Sequence, residues 1–425
     1  MSKYPSDWLS KPLGKVYPKI VVGYVGNVND HYCRAEEGVP FYRTLNIRDG
    51  YFRHSEHLYV THEFNEKNKK SQITNNDILI ARVGANLGMV CKANGISGLA
   101  NMANAIIIKT KDVNSADADF YTYFLLSPMG KNQIYSGAAG GAQGVFNTKL
   151  TQEIIVPVPP LPEQRKIAKI LSTWDKAIAT TERLIATSQQ QKKALMQQLL
   201  TGKKRLVNPD TGMVFEGDWE DKHLNEFSQV IVSPVDKKSI EGETPVALCN
   251  YTDVYYNMRI TNKLSFMKAT ATQAEIKKFT LQIDDVVITK DSETPGDIAI
   301  PALVSEKLKG VVCGYHLAIV RTNKQLADGA FINYLFSIPK TRYYFFTLAT
   351  GATRFGLSVD GINKAHFSLP SIKEQQKIAS VLTATDKEIE LIEAKLAHLK
   401  EEKKALMQQL LTGKRRVKVD AKEVA

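Results

Sequence analysis

Cysteine is scarce: Cys33, Cys91, Cys249 and Cys313 are the only four in 425 residues, widely separated and never in a C-x-x-C pair. That scarcity argues against a disulfide framework and a zinc ribbon, and reduced thiols suit a cytosolic protein. No run approaches 18 consecutive apolar residues, so no membrane-spanning helix is expected. The opening MSKYPSDWLSKP has neither an apolar segment nor a small-residue cleavage site, and the expected location is the cytoplasm. Signatures of bond chemistry are also missing. There is no N-P-P-F or D-P-P-Y type motif for amino methylation, no Gly-rich strand-turn-helix fingerprint for S-adenosylmethionine, and no Walker A loop for ATP. D-x-K and E-x-K triplets, Asp236 to Lys238 and Glu401 to Lys403, arise by chance in a chain that is 24% charged. His54, His57 and His62 near Cys33 fit no closed zinc pattern; the run is aromatic-rich like a strand pair, and they read as core or surface histidines. A chain without catalytic residues, bound cofactor or metal is expected.

What is present begins with size and sign. The length calls for two or more domains, and 43% hydrophobic residues suit globular cores. Lysine and arginine exceed aspartate and glutamate by 12, a surplus that commonly serves a polyanion.

Sliding the sequence against itself exposes an internal repeat. KKALMQQLLTGK at 192–203 recurs at 403–414, an offset of 211 residues. The same offset carries EQRKIAKIL (163–171) onto EQQKIASVL (374–382), Asp7-Trp8 onto Asp218-Trp219, and Pro128 onto Pro339. Between these anchors the likeness decays. FYRTLNIRDGYF from Phe41 only loosely echoes VALCNYTDVYYN from Val246, and the register drifts by several residues. Two copies of one module each join a divergent globular part to a nearly identical tail.

The tails are predicted helical. Ile167, Leu171, Trp174, Ile178, Ile185, Leu195 and Leu199 fall on a four-then-three ladder that also passes through Thr181, Ser188 and Lys192. In the second copy it runs through Ile378, Leu382, Thr385, Ile389, Ile392, Leu396, Leu399, Lys403, Leu406 and Leu410, a heptad seam. Pro162 suits a first helical turn, Ser371 with Glu374 forms a capping-box pattern, and Gly202 and Gly413 stand where helices stop. Parallel in-register pairing would set Lys192 against Lys403. Antiparallel pairing sets Lys403 against Trp174 and Lys192 against Thr385, and is therefore expected. The seam over 163–200 would be a rod of roughly 55 Å, a spacer with a globular part near each end.

Net charge is +4 over 1–158, +7 over 159–206, −2 over 207–370 and +3 over 371–425. The basic first helix reads either as a solvated face or as a contact for DNA phosphates or a partner. The globular parts alternate short β-rich runs with turns: ITNNDILIARVG matches LQIDDVVITKDS, NAIIIKT matches LAIVRTN, and FYTYFLLSP matches FINYLFSIP. The fold class is α+β, with mixed modules of about 160 residues. Gly-rich segments at 136–148 and 349–358 could approach phosphate, but neither fits a P-loop, and a plain helix-to-strand connection is the simpler reading.

The Pro-rich lead VPVPPLPEQRKIAKIL, followed by KKALMQQLLTGK and repeated at 374–414, resembles the specificity subunits of type I restriction enzymes. The resemblance covers the whole chain in organisation. It implies target recognition domains at 1–158 and 207–370, coiled-coil helices at 159–206 and 371–418, and a tail at 419–425. It further implies that each domain reads one half of an asymmetric, bipartite double-stranded DNA site, with an antiparallel coiled coil fixing the unread gap. Two modification subunits and restriction subunits would be the partners, carrying S-adenosylmethionine, ATP and Mg. A pseudo-dyad frame can address half-sites on one DNA face about one helical turn, roughly 34–36 Å, apart. Candidate readers lie in predicted loops beside strand ends: Arg43, Asn46, Arg48, Arg82, Asn86 and Gln143 in the first domain, and Asn250, Tyr255, Lys290, His316 and Arg354 in the second. Arginine favours guanine, asparagine and glutamine favour adenine, and lysine more often meets phosphate. Alternatives are a reader serving a solitary adenine methyltransferase and a coiled-coil scaffold that binds protein.

Overall fold

The computed structural model describes residues 4–111, 113–139 and 145–419. Contacts divide the chain into two compact units, Met1–Glu182 with Ala394–Ala425, and Arg183–Glu393. Two 39-residue helices, Leu161–Leu199 and Ile372–Leu410, each contribute one part to either unit. Among the described residues no helix is long and apolar enough to cross a membrane.

In the first unit an antiparallel sheet runs in the order Ile20–Val22, Ala105–Ile108, Ile78–Ala81, Val90–Lys92. Its central strands read as unbroken apolar runs because both faces are covered. Ile78, Ile80, Ile106 and Ile108 pack with Phe120, Tyr121 and Phe124 of helix Ala118–Leu126. The alternate residues Leu79, Ala81 and Ile107 pack with Tyr42, Ile47 and Phe52. A second sheet sets Gly38–Tyr42 between Leu58–Thr61, antiparallel, and Asn101–Met102, parallel.

The second unit repeats this plan with one more strand. Its larger sheet runs Ser228–Val232, Leu317–Thr322, Val286–Thr289, Pro301–Val304, Arg259–Ile260. Again the period of two divides the residues, Val286, Ile288, Ala318 and Val320 facing one core and Val287, Leu317 and Ile319 the other. The smaller sheet sets Thr244–Cys249 between Met267–Ala271, antiparallel, and Val311–Cys313, parallel. Strands Ile78–Ala81 and Val286–Thr289 are 208 residues apart, which locates the drift in register.

Each unit is closed by helical segments from distant parts of the chain. In the first, Ile167, Ala168 and Leu171 share a core with Leu410 and Leu411. In the second, Leu199 and Leu200 share one with Ile378, Ala379 and Leu382. A buried glutamine fixes each helix start. Gln164 accepts from the backbone of Asp117 (2.9 Å) and donates to the Pro159 carbonyl (2.8 Å). Gln375 does the same with Asp328 (3.0 Å) and Pro370 (2.9 Å). Since Asp117 and Asp328 cap the helices at Ala118–Leu126 and Gly329–Ser337, one glutamine orients two helices.

Within each unit the helical segments are antiparallel. In the first, Lys403 pairs with Asp175, Lys400 with Glu182, and Arg416 with Glu163. In the second, Lys192 pairs with Asp386, Gln189 lies 3.4 Å from Glu393, and Arg205 pairs with Glu374. The expected facing residues of the two lysines, Trp174 and Thr385, are thereby corrected by one position. A half-buried ammonium is neutralised by the adjacent carboxylate rather than left against an aromatic or a hydroxyl. Tyr123 and Tyr334 complete the clusters, donating to Asp175 (2.6 Å) and Asp386 and lying beneath the lysines. Burial, and then the bond to Asp386, pushes the Tyr334 phenol up to about 12.

The capping box at Ser371 is only half formed. The Glu374 amide meets Ser371 Oγ at 3.4 Å, but its fully buried carboxylate is engaged bidentately by Arg205 at 2.6 and 2.7 Å. A charged fork outcompetes the local amide. Gly202 and Gly413, both at φ +69°, end the helices in the left-handed conformation. Gly202 sits against Trp219 and Gly413 against Pro5 and Trp8.

Candidate nucleic-acid interface

The polar candidates lie in or beside the loops at strand ends of each unit. In the first unit, the strand Gly38–Tyr42 runs into Arg43 and Asn46, Ile78–Ala81 runs into Arg82, and Asn86 closes the turn after Gly84. Arg48 Nη1 donates to Asn86 Oδ1 at 2.7 Å, and Asn86 Nδ2 reaches the Thr44 carbonyl at 3.3 Å. Arg43 donates from Nη2 to the Glu56 carbonyl at 3.2 Å. Among the described residues the buried Nε atoms of Arg43 and Arg82 have no hydrogen-bond partner. Thus Arg48 and Asn86 form one polar pair tied to the Thr44 carbonyl, while Arg43 is held separately on Glu56 and Arg82 stands at the end of its own strand.

Asn46 is withdrawn into the fold. It is fully buried, accepts from the Arg43 amide at 2.8 Å, and donates to the carbonyls of Arg53 and Ser55, both at 2.9 Å. Both donors and one of its two acceptor positions are spent on the turn, which gives it a turn-forming role in place of the expected base contact. Gln143 and the rest of 140–144 lie outside the described residues; 136–139 of the Gly-rich segment belong to helix Pro128–Ala139.

The second unit presents equivalent strand ends with different chemistry. Asn250 follows strand Thr244–Cys249 and is capped by Asp253 (2.9 Å) as Arg43 is by Asn46. Tyr255 occupies the place of Arg48, its hydroxyl donating to Asp297 Oδ1 at 3.2 Å, and its ring stacks on Tyr251 at 5.4 Å. Lys290 follows strand Val286–Thr289 as Arg82 follows Ile78–Ala81. The equivalence extends to the backbone: the Phe146 amide bonds the Arg82 carbonyl at 3.1 Å, and the Leu357 amide bonds that of Lys290 at 3.0 Å. Lys290, His316 and Arg354 converge on Asp291. Lys290 Nζ is 3.0 Å from Oδ2, Arg354 Nε is 3.5 Å from Oδ1, and His316 Nδ1 bonds Oδ1. Burial pulls the His316 imidazole below its usual value, and the opposing pull of Asp291 does not overcome it. The ring is therefore neutral at pH 7, donating from Nδ1.

Sequence reasoning missed Asp291 and Asp297, because a search for donors toward DNA passes over the acids that orient them. It also missed Tyr123, Asp175, Tyr334 and Asp386, although both pairs obey the 211-residue offset and were open to the same search. Of the seam residues, Ile167, Leu171, Leu199, Ile378, Leu382, Ile389 and Leu410 are buried, and Trp174, Ile178, Ile185, Leu195, Ile392, Leu396, Leu399 and Leu406 are half-buried.

The histidines are differently used from a strand pair. His54 Nδ1 is 3.3 Å from the Tyr42 hydroxyl, His57 Nε2 is 3.0 Å from that of Tyr59, and His62 opens a short helix. Among the described residues no group of three or more His, Cys, Asp or Glu is arranged to hold a metal ion. Asp236 and Lys238 form an exposed ion pair. Burial raises the thiols of Cys91, Cys249 and Cys313, that of Cys91 to about 12.

Comparison with known proteins adds an independent line. The family model described as the type I restriction modification DNA specificity domain matches twice, over residues 5–187 and 216–401. A putative type I restriction enzyme MjaX specificity subunit of Methanocaldococcus jannaschii is 26% identical over 98% of this chain and 96% of its own length. The type I restriction enzyme EcoKI specificity subunit of Escherichia coli is 22% identical over 88% and 81%. In fold, the chain is similar to the HsdS subunit from Thermoanaerobacter tengcongensis, with a TM-score of 0.52 at 16% identity over 97% and 98% of the two chains.

Proposed function

Because the chain belongs to the family of type I restriction-modification DNA specificity proteins, we propose that each of its units reads one half of an asymmetric, bipartite DNA site. It is a DNA-sequence-recognition subunit and performs no bond chemistry itself. The observation that supports the finer reading is the pair of strand-end faces. Equivalent positions are held by equivalent bonds yet carry different side chains: Arg48 against Tyr255, Arg82 against Lys290, Arg43 against Asn250. Base edges are distinguished by the donors and acceptors presented to them, so two frames with different donors select different letters.

In this reading the two helices act as an antiparallel coiled coil, each 39 residues or about 58 Å long, and set the gap between half-sites. Two modification subunits and the restriction subunits are the partners. They carry the S-adenosylmethionine, ATP and Mg that the chemistry requires, and the complex works in the cytoplasm on double-stranded DNA. Methylome sequencing of cells with and without this gene, beside its modification gene, tests the proposal. Loss of adenine methylation at one bipartite motif is expected; an unchanged methylome with both proteins expressed contradicts it.

A further inference from the structure

The geometry points to Arg354 as a guanine-reading residue, with Asp291 and His316 as the positioning residues that aim it. This inference rests on the DNA-reading role of the second unit and names the base one of its side chains selects.

Arg354 lies in a tight loop whose shape leaves little freedom. The amide of Thr350 bonds the Gly356 carbonyl at 3.2 Å and the reverse bond is 2.9 Å, closing a narrow hairpin. At Gly351, φ +146°, any Cβ would stand 1.9 Å from the Arg354 carbonyl oxygen, so only glycine permits this turn. The loop is stitched to the end of the larger sheet. Asp291–Ser292 pairs antiparallel with Phe355–Gly356, and the Leu357 amide bonds the Lys290 carbonyl. The backbone that carries the guanidinium is thereby fixed to the backbone that carries its counter-ion.

The side chain is held as well. Arg354 Nη2 lies 3.1 Å from Nε2 and 3.3 Å from Nδ1 of His316, so the guanidinium rests against the imidazole, while Nε faces Asp291. Asp291 is buried to 13% side-chain exposure beneath a guanidinium that is 53% exposed. Its carboxylate is shared among Lys290, His316 and Arg354, and with His316 neutral the group retains one net positive charge. Nη1 has no hydrogen-bond partner among the described residues. The result is a planar donor fork, restrained on one side and open on the other.

A restrained fork suits a base edge better than a phosphate. Guanine offers N7 and O6 side by side in the major groove, and arginine meets both at once, whereas no other base presents two acceptors there. A phosphate accepts a cation from many directions and needs no such restraint. The cost of ordering a long side chain has been met inside the protein before DNA arrives.

The test is a methylation assay of the full complex, this chain with its modification partner, on duplexes with each half-site randomised in turn. For Arg354→Gln and Arg354→Ala the expected result is a loss of preference for guanine at one position of one half-site by about 10- to 100-fold. Letters of the other half-site should be unchanged, which also certifies that the variant folds and assembles. Arg354→Lys should fail to restore the preference, because an ammonium has no fork. Asp291→Asn should relax the same position to a smaller degree and no other. Uniform weakening on all sequences without a change of letter would overturn the inference and mark Arg354 as a phosphate contact. Relaxation at a base other than guanine would also overturn it. A wild-type complex with no preferred site would overturn the DNA-reading role beneath it.

Discussion

In the first unit Glu163 receives both Trp8 Nε1, at 3.1 Å, and Arg416, at 2.7 and 2.8 Å. Among the described residues the equivalent Glu374 of the second receives Arg205 alone, and the buried Nε1 of Trp219 has no partner. Such departures are small where the helices dock: the Gln–backbone, Tyr–Asp and Lys–Asp bonds recur at the 211-residue offset. They are large at the strand ends, where arginine faces tyrosine and lysine across the repeat. Docking a helix demands one buried arrangement of charges, and a substitution there leaves a group unpaired. A loop at a strand end exposes its side chains to solvent and ligand, so its chemistry can change without cost to the core.

The sharpest contrast within the docking surfaces is the lysine–aspartate pair. In the second unit Lys192 and Asp386 are 15% and 10% exposed, and Arg259 stands 3.6 Å from the same carboxylate. In the first, Lys403 and Asp175 are 20% and 44% exposed. Asp386→Ala should therefore cost about 3 kcal/mol, the lower end for a buried pair, by stranding two half-buried cations. Asp175→Ala should cost about 1 kcal/mol, since water can replace the lost partner. Urea unfolding read by hydrogen exchange in each helical segment separates the two. Equal costs would break the comparison. Lys192→Met with Asp386→Leu should recover only part of the loss, because an apolar pair replaces one ion pair while Arg259 and the Tyr334 hydroxyl still lose their acceptor.

A smaller difference is expected at the helix-ending glycines. Both take φ +69°, so alanine at either costs roughly 1–2 kcal/mol for the left-handed backbone. At Gly413 the added Cβ would also stand 2.5 Å from Pro5 Cγ, whereas at Gly202 its nearest contact is an ordinary 3.4 Å from Trp219. Gly413→Ala should exceed Gly202→Ala by about 1–3 kcal/mol of overpacking, measured by the same unfolding assay.

The smallest contrast is with acid. Arg416 holds the Asp7 carboxyl below its ordinary range, chiefly through their hydrogen bonds. In the second unit Arg205 instead bonds the carbonyls of Glu216 and Gly217, which do not titrate. A depressed folded-state value means the Asp7 contribution is present at neutral pH and lost as pH falls through that value. Hydrogen-exchange protection, taken relative to the intrinsic amide rate at each pH, should fall slightly more near Trp8 than near Trp219 between pH 6 and acid, and Asp7→Asn should abolish the difference.

The helices were legible because a heptad seam and a duplicated twelve-residue tail are local and periodic signals. Antiparallel pairing was legible from lysine placement, but not its register: a seam drawn by apolar residues alone cannot tell Trp174 from Asp175 as the neighbour of Lys403. The sheets were visible as apolar runs, whereas their division between two cores depends on chain segments far apart in sequence, Tyr42 and Ile47 with Leu79, for example. At the candidate interface the donors were chosen by residue type and proximity to strand ends. The burial of Asn46 was not legible, because a turn takes three of its four hydrogen-bonding positions, and that is a matter of backbone conformation rather than composition.

The claim that two unlike faces read two half-sites independently is tested most directly by exchange. Residues 1–158 are replaced with the corresponding part of another such protein, and the methylome of cells carrying the hybrid with its modification partner is sequenced. The predicted result is a bipartite motif in which one half-site changes while the other half-site and the gap are retained. A motif changed in both halves would contradict the account, because the units would then not be separate readers.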